Sequence, residues 1–138
     1  MKVLFAGTPE IAVPSLEKLH ESCEVVGVLT SPDMKKGRGK QVHHSPVKEK
    51  ALELGLEVLQ PETLRTEARQ QIGRLEPELL AVFAYGRIFG PRFLSLFRKG
   101  GINVHPSLLP RYRGSAPIVA PILNGDQETG VTIQTIAL

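Results

Sequence analysis

Short apolar runs alternate along this chain with longer stretches whose apolar positions recur every three or four residues. The runs "KVLFA" (2–6), "EVVGVLT" (24–30), "EVLQ" (57–60), "ELLAVFAY" (78–85), "GINVH" (101–105) and "GVTIQTIAL" (130–138) read as strands. After the first, Ile11, Val13, Leu16 and Leu19 carry a helical stripe to about Ser22. Thr8 is placed to cap that helix, Pro9 to open it and Glu10 to complement its positive end. Ser45 and Pro46 start a second helix that runs to Leu54 and closes at Gly55. Further helices are expected over 62–74, despite poor periodicity, over Pro91–Arg98, and over Ser115–Leu123, the last closed by Asn124 and Gly125.

That rhythm predicts an α/β fold, a Rossmann-like and mostly parallel sheet with helices on both faces. Residues 78–85 are nearly all apolar, as in a central strand covered on both sides. The whole of 1–138 reads as one domain. The last strand reaches Leu138 without a polar tail. Either the chain is cut there, or that strand lies at an edge which something else covers.

Composition narrows the picture. Hydrophobic residues make up 41% and charged residues 22%, which argues against disorder. Cys23 is the single cysteine, so no internal disulfide is possible and a reducing compartment follows. The apolar start is too short for a secretion signal, and "LLAVFAYG" (79–86) is too short for a membrane span. A soluble, cytoplasmic protein with no membrane role is expected.

Charge is informative by location. The net charge is +3, yet residues 33–50 hold six basic and two acidic residues, a local balance of +4, and the rest of the chain is at −1. Such a segment suits a phosphate-rich partner, or is a solvated lysine-rich loop.

The first turn, "AGTPEIA", lacks the glycines that bring a pyrophosphate against the backbone. "GRGKQ" (37–41) is no P-loop, with Met34 where the first glycine belongs and Gln41 where Ser or Thr would hold magnesium. A nicotinamide or nucleotide-triphosphate enzyme is therefore not expected. His43 and His44 have no nearby carboxylate or thiol in sequence, and no metal is expected. The unusual feature is Asn103 with His105. Two residues apart on a strand, they share a face, at the strand end where open α/β sheets bind ligands, just before Pro106. An amide donor beside an imidazole suits acyl transfer to an amine: the amide stabilises the developing oxyanion, and the imidazole donates to it or relays the proton. A strand-end histidine satisfied by backbone carbonyls would show the same spacing.

"NVHPSLLPRYRGSAP" (103–117) resembles the signature of the 10-formyltetrahydrofolate-dependent formyltransferases. "FAGTPE" (5–10), "TSPDMKKGRGK" (30–40), "SPVK" (45–48), "FAYG" (83–86) and "GDQETGVTI" (125–133) extend the resemblance in order over nearly the whole chain. It implies that Asn103 and His105 are catalytic and that 10-formyltetrahydrofolate is the cosubstrate. It also implies that Ser107, Leu108, Leu109 and Pro110 contact the folate. Tyr85 and Gly86, ending the strand beside, would line the same crevice, although Tyr85 is equally well a structural aromatic. The basic insertion resembles the loop by which members acting on initiator methionyl-tRNA enter the acceptor arm. Lys35, Lys36, Lys40 and above all Arg38 would meet its phosphates, with Gly37 and Gly39 allowing the turn. No obligate protein partner is implied. Family members carry a catalytic aspartate just beyond the strand matching 130–138. Here no acid follows Glu128, and Asp126 and Glu128 are expected at the strand's wrong end. The loop that completes the pteridine pocket and the C-terminal tRNA-binding domain also have no counterpart. The resemblance thus implies an incomplete, N-terminal part of a catalytic domain, inactive by itself. Two alternatives remain: a formyltransferase acting on a sugar-nucleotide amine, and a non-catalytic RNA-binding fragment.

Overall fold

The computed structural model describes residues 1–36, 39, 41–114 and 116–136. In chain order the elements are β1 (Lys2–Gly7), α1 (Val13–Ser22), β2 (Glu24–Leu29), β3 (Met34–Lys36), β4 (Gln41–His43), α2 (Pro46–Glu53), β5 (Val58–Leu59), α3 (Thr66–Arg74), β6 (Leu79–Phe83), α4 (Pro91–Leu94), β7 (Gly101–His105), α5 (Val119–Leu123) and β8 (Thr132–Thr135). Six strands form one sheet in the order β5-β2-β1-β6-β7-β8, parallel except for β8. The α/β architecture with a mostly parallel sheet is the one the hydrophobic pattern predicts.

Alternation along β1 explains why both faces need helices. Val3 and Phe5 point into a core built with Leu16 of α1 and with Val47 and Ala51 of α2. Leu4 and Ala6 point the other way, into a core with Ile72 of α3, Phe93 of α4 and Phe97. All four β1 side chains are essentially inaccessible. Burying each of the large ones stabilises the fold by about 1.5–3 kcal/mol. Gly7 ends β1 where no side chain fits: a Cβ there would stand 2.6 Å from the Phe83 carbonyl oxygen.

Several expectations change. The first helix opens at Val13, after a 3-10 turn over Glu10–Ala12, with Pro14 in its first turn. Thr8 does not cap it; its hydroxyl lies 3.0 Å from that of Ser31 and accepts from the Ser31 N–H, joining the ends of β1 and β2. The expected second cap holds, for Ser45 Oγ accepts from the Lys48 N–H at 3.0 Å. The helices expected over 62–74 and 91–98 contract to α3 and α4, and of the one expected over 115–123 the described residues form α5, Ser115 lying outside them.

The basic segment is not a plain loop. Met34, Lys35 and Lys36 pair antiparallel with His43, Val42 and Gln41, and Gly39 in the turn has φ +85. The last strand, β8, runs antiparallel to β7 at the sheet edge, with His105 opposite Thr132. A full crossover is needed to return a strand parallel. The segment between β7 and β8 instead has its two ends held together at one end of β7: Thr132 Oγ1 donates to the Ser107 carbonyl and accepts from the Leu109 N–H. Asp126 and Glu128 therefore precede β8 at the end where His105 lies, not at the opposite one. No described helix is long and apolar enough to cross a membrane.

Candidate active site

From β1 the chain builds outward to β2 and β5, then returns to add β6, β7 and β8 on the other side. At such a reversal the loops part, leaving a crevice at the carboxyl ends of the strands. A cleft of about 930 Å³ lies there, bordered by Pro9 and Ile11 after β1, Tyr85 and Gly86 after β6, and Asn103 and His105 on β7. Of the eight residues expected around the folate crevice, Tyr85, Gly86, Asn103 and His105 border this cleft. Ile11 was assigned only to a helix face, and Ile88, 95% exposed, was not singled out; both line the wall, and neither carries a sequence signal beyond being apolar.

The β6 end bends sharply, with φ +55 at Ala84 and φ +90 at Gly86. Glycine accepts this readily, whereas alanine holds it only because its surroundings leave no alternative. The double bend sends Tyr85 into the core, 2% exposed, with its ring stacked on Phe89 at 5.7 Å and the Arg87 guanidinium over it. The Tyr85 hydroxyl has no hydrogen-bond partner among the described residues. Burial pushes it above its ordinary value, with Arg87 opposing.

Asn103 and His105 are half-buried. The His105 Nε2 lies 2.9 Å from the Tyr112 carbonyl oxygen. A carbonyl only accepts, so Nε2 carries the hydrogen and a neutral ring keeps its lone pair on Nδ1. This backbone contact is the one a structural histidine would make, and here it is made by a residue that also faces the cleft.

The segment after Pro106 folds back to supply that carbonyl. The Ser107 N–H donates to the His105 carbonyl, Ser107 Oγ donates to the Arg111 carbonyl, and the Arg111 N–H donates to the Leu108 carbonyl. Ser107 is fully buried, and its hydroxyl is spent on this turn. Ser107, Leu108, Leu109 and Pro110 do not line the cleft. Tyr112 sits at φ +58. Its hydroxyl donates to Asp126 Oδ2 and accepts from Asn124 Nδ2 at 3.3 Å. Arg111 Nη2 also donates to Asp126 Oδ2, at 3.3 Å.

The basic hairpin is tethered at its base. Lys48 Nζ donates to Asp33 Oδ2 and Gln60 Nε2 donates to Asp33 Oδ1, both at 2.8 Å. The Lys48 hydrogen bond first, then that of Gln60, holds the Asp33 carboxyl below its ordinary value. Lys35 is exposed on β3, and Lys36 lies in the same strand. Arg38 and Lys40 fall outside the described residues.

The formyl transferase family profile matches residues 1–137. The chain is 51% identical over 135 residues to methionyl-tRNA formyltransferase of Caldanaerobacter subterraneus subsp. tengcongensis, covering 96% of this chain and 44% of that protein. Against methionyl-tRNA formyltransferase of Treponema denticola the identity is 47% over 145 residues, covering 99% and 45%. The chain thus spans less than half the length of the curated relatives it matches. Among solved structures, phosphoribosylglycinamide formyltransferase from Bacillus halodurans superposes with a TM-score of 0.73 at 24% identity, covering 99% of this chain and 72% of that one. The enzyme of that name from Streptococcus pneumoniae TIGR4 gives 0.74 at 22%, covering 99% and 73%. At these identities the likeness is one of fold.

Proposed function

The chain belongs to the formyl transferase family, and from that premise we propose that it houses the site where a formyl group passes from 10-formyltetrahydrofolate to the amino group of initiator methionyl-tRNA. The observation that carries this reading is that Asn103 and His105 open into one cleft at the carboxyl ends of the strands. In the reaction the amine nitrogen bonds to the formyl carbon, negative charge gathers on the formyl oxygen, and the bond from that carbon to the folate nitrogen then breaks. The Asn103 amide donates to the oxygen, a contribution of about 3–4 kcal/mol for one well-placed donor. The attacking nitrogen must also shed a proton. Nε2 of His105 is engaged with Tyr112, so Nδ1 of the neutral ring accepts that proton and can return it to the departing folate nitrogen. No metal ion is needed.

Tyr85 and Gly86 on the wall are proposed to border the folate. The turn Ser107–Pro110 follows β7 without lining the cleft; its contact with the folate is proposed on the family resemblance, with the Ser107 hydroxyl already engaged. Support for a tRNA acceptor comes from the basic hairpin, with Lys35, Lys36, Arg38 and Lys40 as the phosphate contacts, and from the names of the relatives above. We place the reaction in the cytoplasm.

The test is formyl transfer by the intact protein, offered charged initiator tRNA and, separately, an amine-bearing nucleotide sugar. Transfer to tRNA is expected; preference for the sugar would overturn the acceptor assignment. Residues 1–138 assayed alone are expected to turn over orders of magnitude more slowly, since this stretch matches less than half the length of its relatives and a coupled site loses that much when a member is missing. Near-normal turnover by that stretch would refute the point.

A further inference from the structure

We propose that Tyr112, anchored by Asp126, is a positioning residue that fixes the tautomer and orientation of His105. The relevance to catalysis rests on the function proposed above; the geometry does not. Three observations converge. His105 presents Nε2–H to the Tyr112 carbonyl. Tyr112 holds a left-handed backbone conformation, φ +58, which a bulky residue keeps only when its surroundings over-determine it. What holds it is at the other end of the same residue, where the phenol donates to the Asp126 carboxylate. Asp126 is a firm anchor: its side chain is 15% exposed, it bonds Arg111, and its own N–H donates to the Pro121 carbonyl.

The chain of contacts therefore runs from a carboxylate through a phenol and a turned backbone to the imidazole. It does through a carbonyl what a carboxylate does in a direct histidine–acid pair, which is to choose the nitrogen that carries hydrogen. Asp126 does not touch the ring, so its part is orientation. The antiparallel direction of β8 makes this possible, by bringing Asp126 to the His105 end of the sheet.

The test reads the ring directly. In the intact protein labelled with ¹⁵N-histidine, long-range ¹H–¹⁵N spectra at about pH 8.5, above the ordinary imidazole range, should show His105 as a single Nε2–H form whose proton is protected from exchange with water. Tyr112→Phe keeps the ring and the backbone but deletes the phenol. Asp126→Asn weakens the acceptor. Each should expose the Nε2 proton to exchange at least tenfold faster, and the double variant should do no more than the stronger single one, because both cut one link. Arg111→Gln removes an exposed partner of Asp126 and the guanidinium 5.6 Å over the Tyr112 ring but leaves the phenol–carboxylate bond in place; it should leave the proton protected and controls for general loosening. Protection retained in both single variants, or equal loss in Arg111→Gln, overturns the proposal. Loss of protection with formyl transfer unchanged would leave the positioning chain standing and count against His105 as the proton carrier.

Discussion

The strands from β1 to β6 and the segment from Pro106 to Ile136 use their apolar residues in opposite ways. In the first region Val3, Leu4, Phe5, Leu29 and Leu80 are sealed from water. In the second, Val119, Ile122, Leu123, Val131 and Ile133 each stand more than half exposed, and the segment is held in shape by hydrogen bonds. Ser107 bonds the Arg111 carbonyl, Thr132 bonds both Ser107 and Leu109, and Tyr112 bonds His105 and Asp126. One region is fixed by area removed from water, the other by a few directional contacts. The candidate chemistry sits at the seam between them. A polar clasp specifies where a carbonyl or an imidazole points, which packing alone does not.

The contrast can be broken by substitution. The largest effect on stability is expected at Phe5, where truncation to Ala should cost about 3–5 kcal/mol in chemical denaturation; a loss below about 1 kcal/mol would mean the β1 core is not the main source of stability. Thr132→Val keeps the shape of the side chain but leaves the Ser107 carbonyl and the Leu109 N–H without their partner. It should cost about 1–3 kcal/mol, and amide exchange should speed up at 107–112 while β1 stays protected. Ile122→Ser and Leu123→Ser, in the exposed set, should each change stability by less than about 0.5 kcal/mol; a loss like that at Phe5 would erase the distinction.

A smaller effect concerns the basic hairpin. Asp33 is depressed by its bonds to Lys48 and Gln60. A carboxyl with a lowered folded value contributes stability that is present above its unfolded value and is lost as pH falls through the folded one. The tether should therefore hold at neutral pH and release below about pH 4, read as faster amide exchange in β3 and β4. Asp33→Asn should remove most of that pH step.

Much of the first region was legible in the sequence, and less of the second. The β1 alternation reports burial directly, because Val3 and Phe5 on one face and Leu4 and Ala6 on the other demand a helical layer each. Ser45 with Pro46 marked the α2 start through chemistry within four residues. The direction of β8 was not legible. It depends on the path between β7 and β8, which is tied by contacts such as that of Thr132 with a carbonyl 25 residues away, and no local pattern marks these. Thr8 misled for a related reason, since its hydroxyl serves a partner on another strand rather than its own helix. The pair Asn103 and His105 could be found from the period-2 rule and Pro106, while the Tyr112 carbonyl that engages His105 leaves no mark in a sequence, because every residue has one. Asp126 was set aside because it precedes the last strand, at the end expected to be the wrong one, whereas β8 begins opposite His105.

The central claim is that Asn103 acts on the transferring formyl group, beyond lining a cleft. It is tested most directly by comparing Asn103→Ala with the unaltered intact protein in formyl transfer to initiator methionyl-tRNA, with folding checked by thermal melting. The account predicts kcat lowered by about 10²–10³ with KM for tRNA nearly unchanged, since the donor is needed when charge develops on oxygen and not before. A kcat within a few-fold of the unaltered protein, in a variant that melts normally, would contradict it.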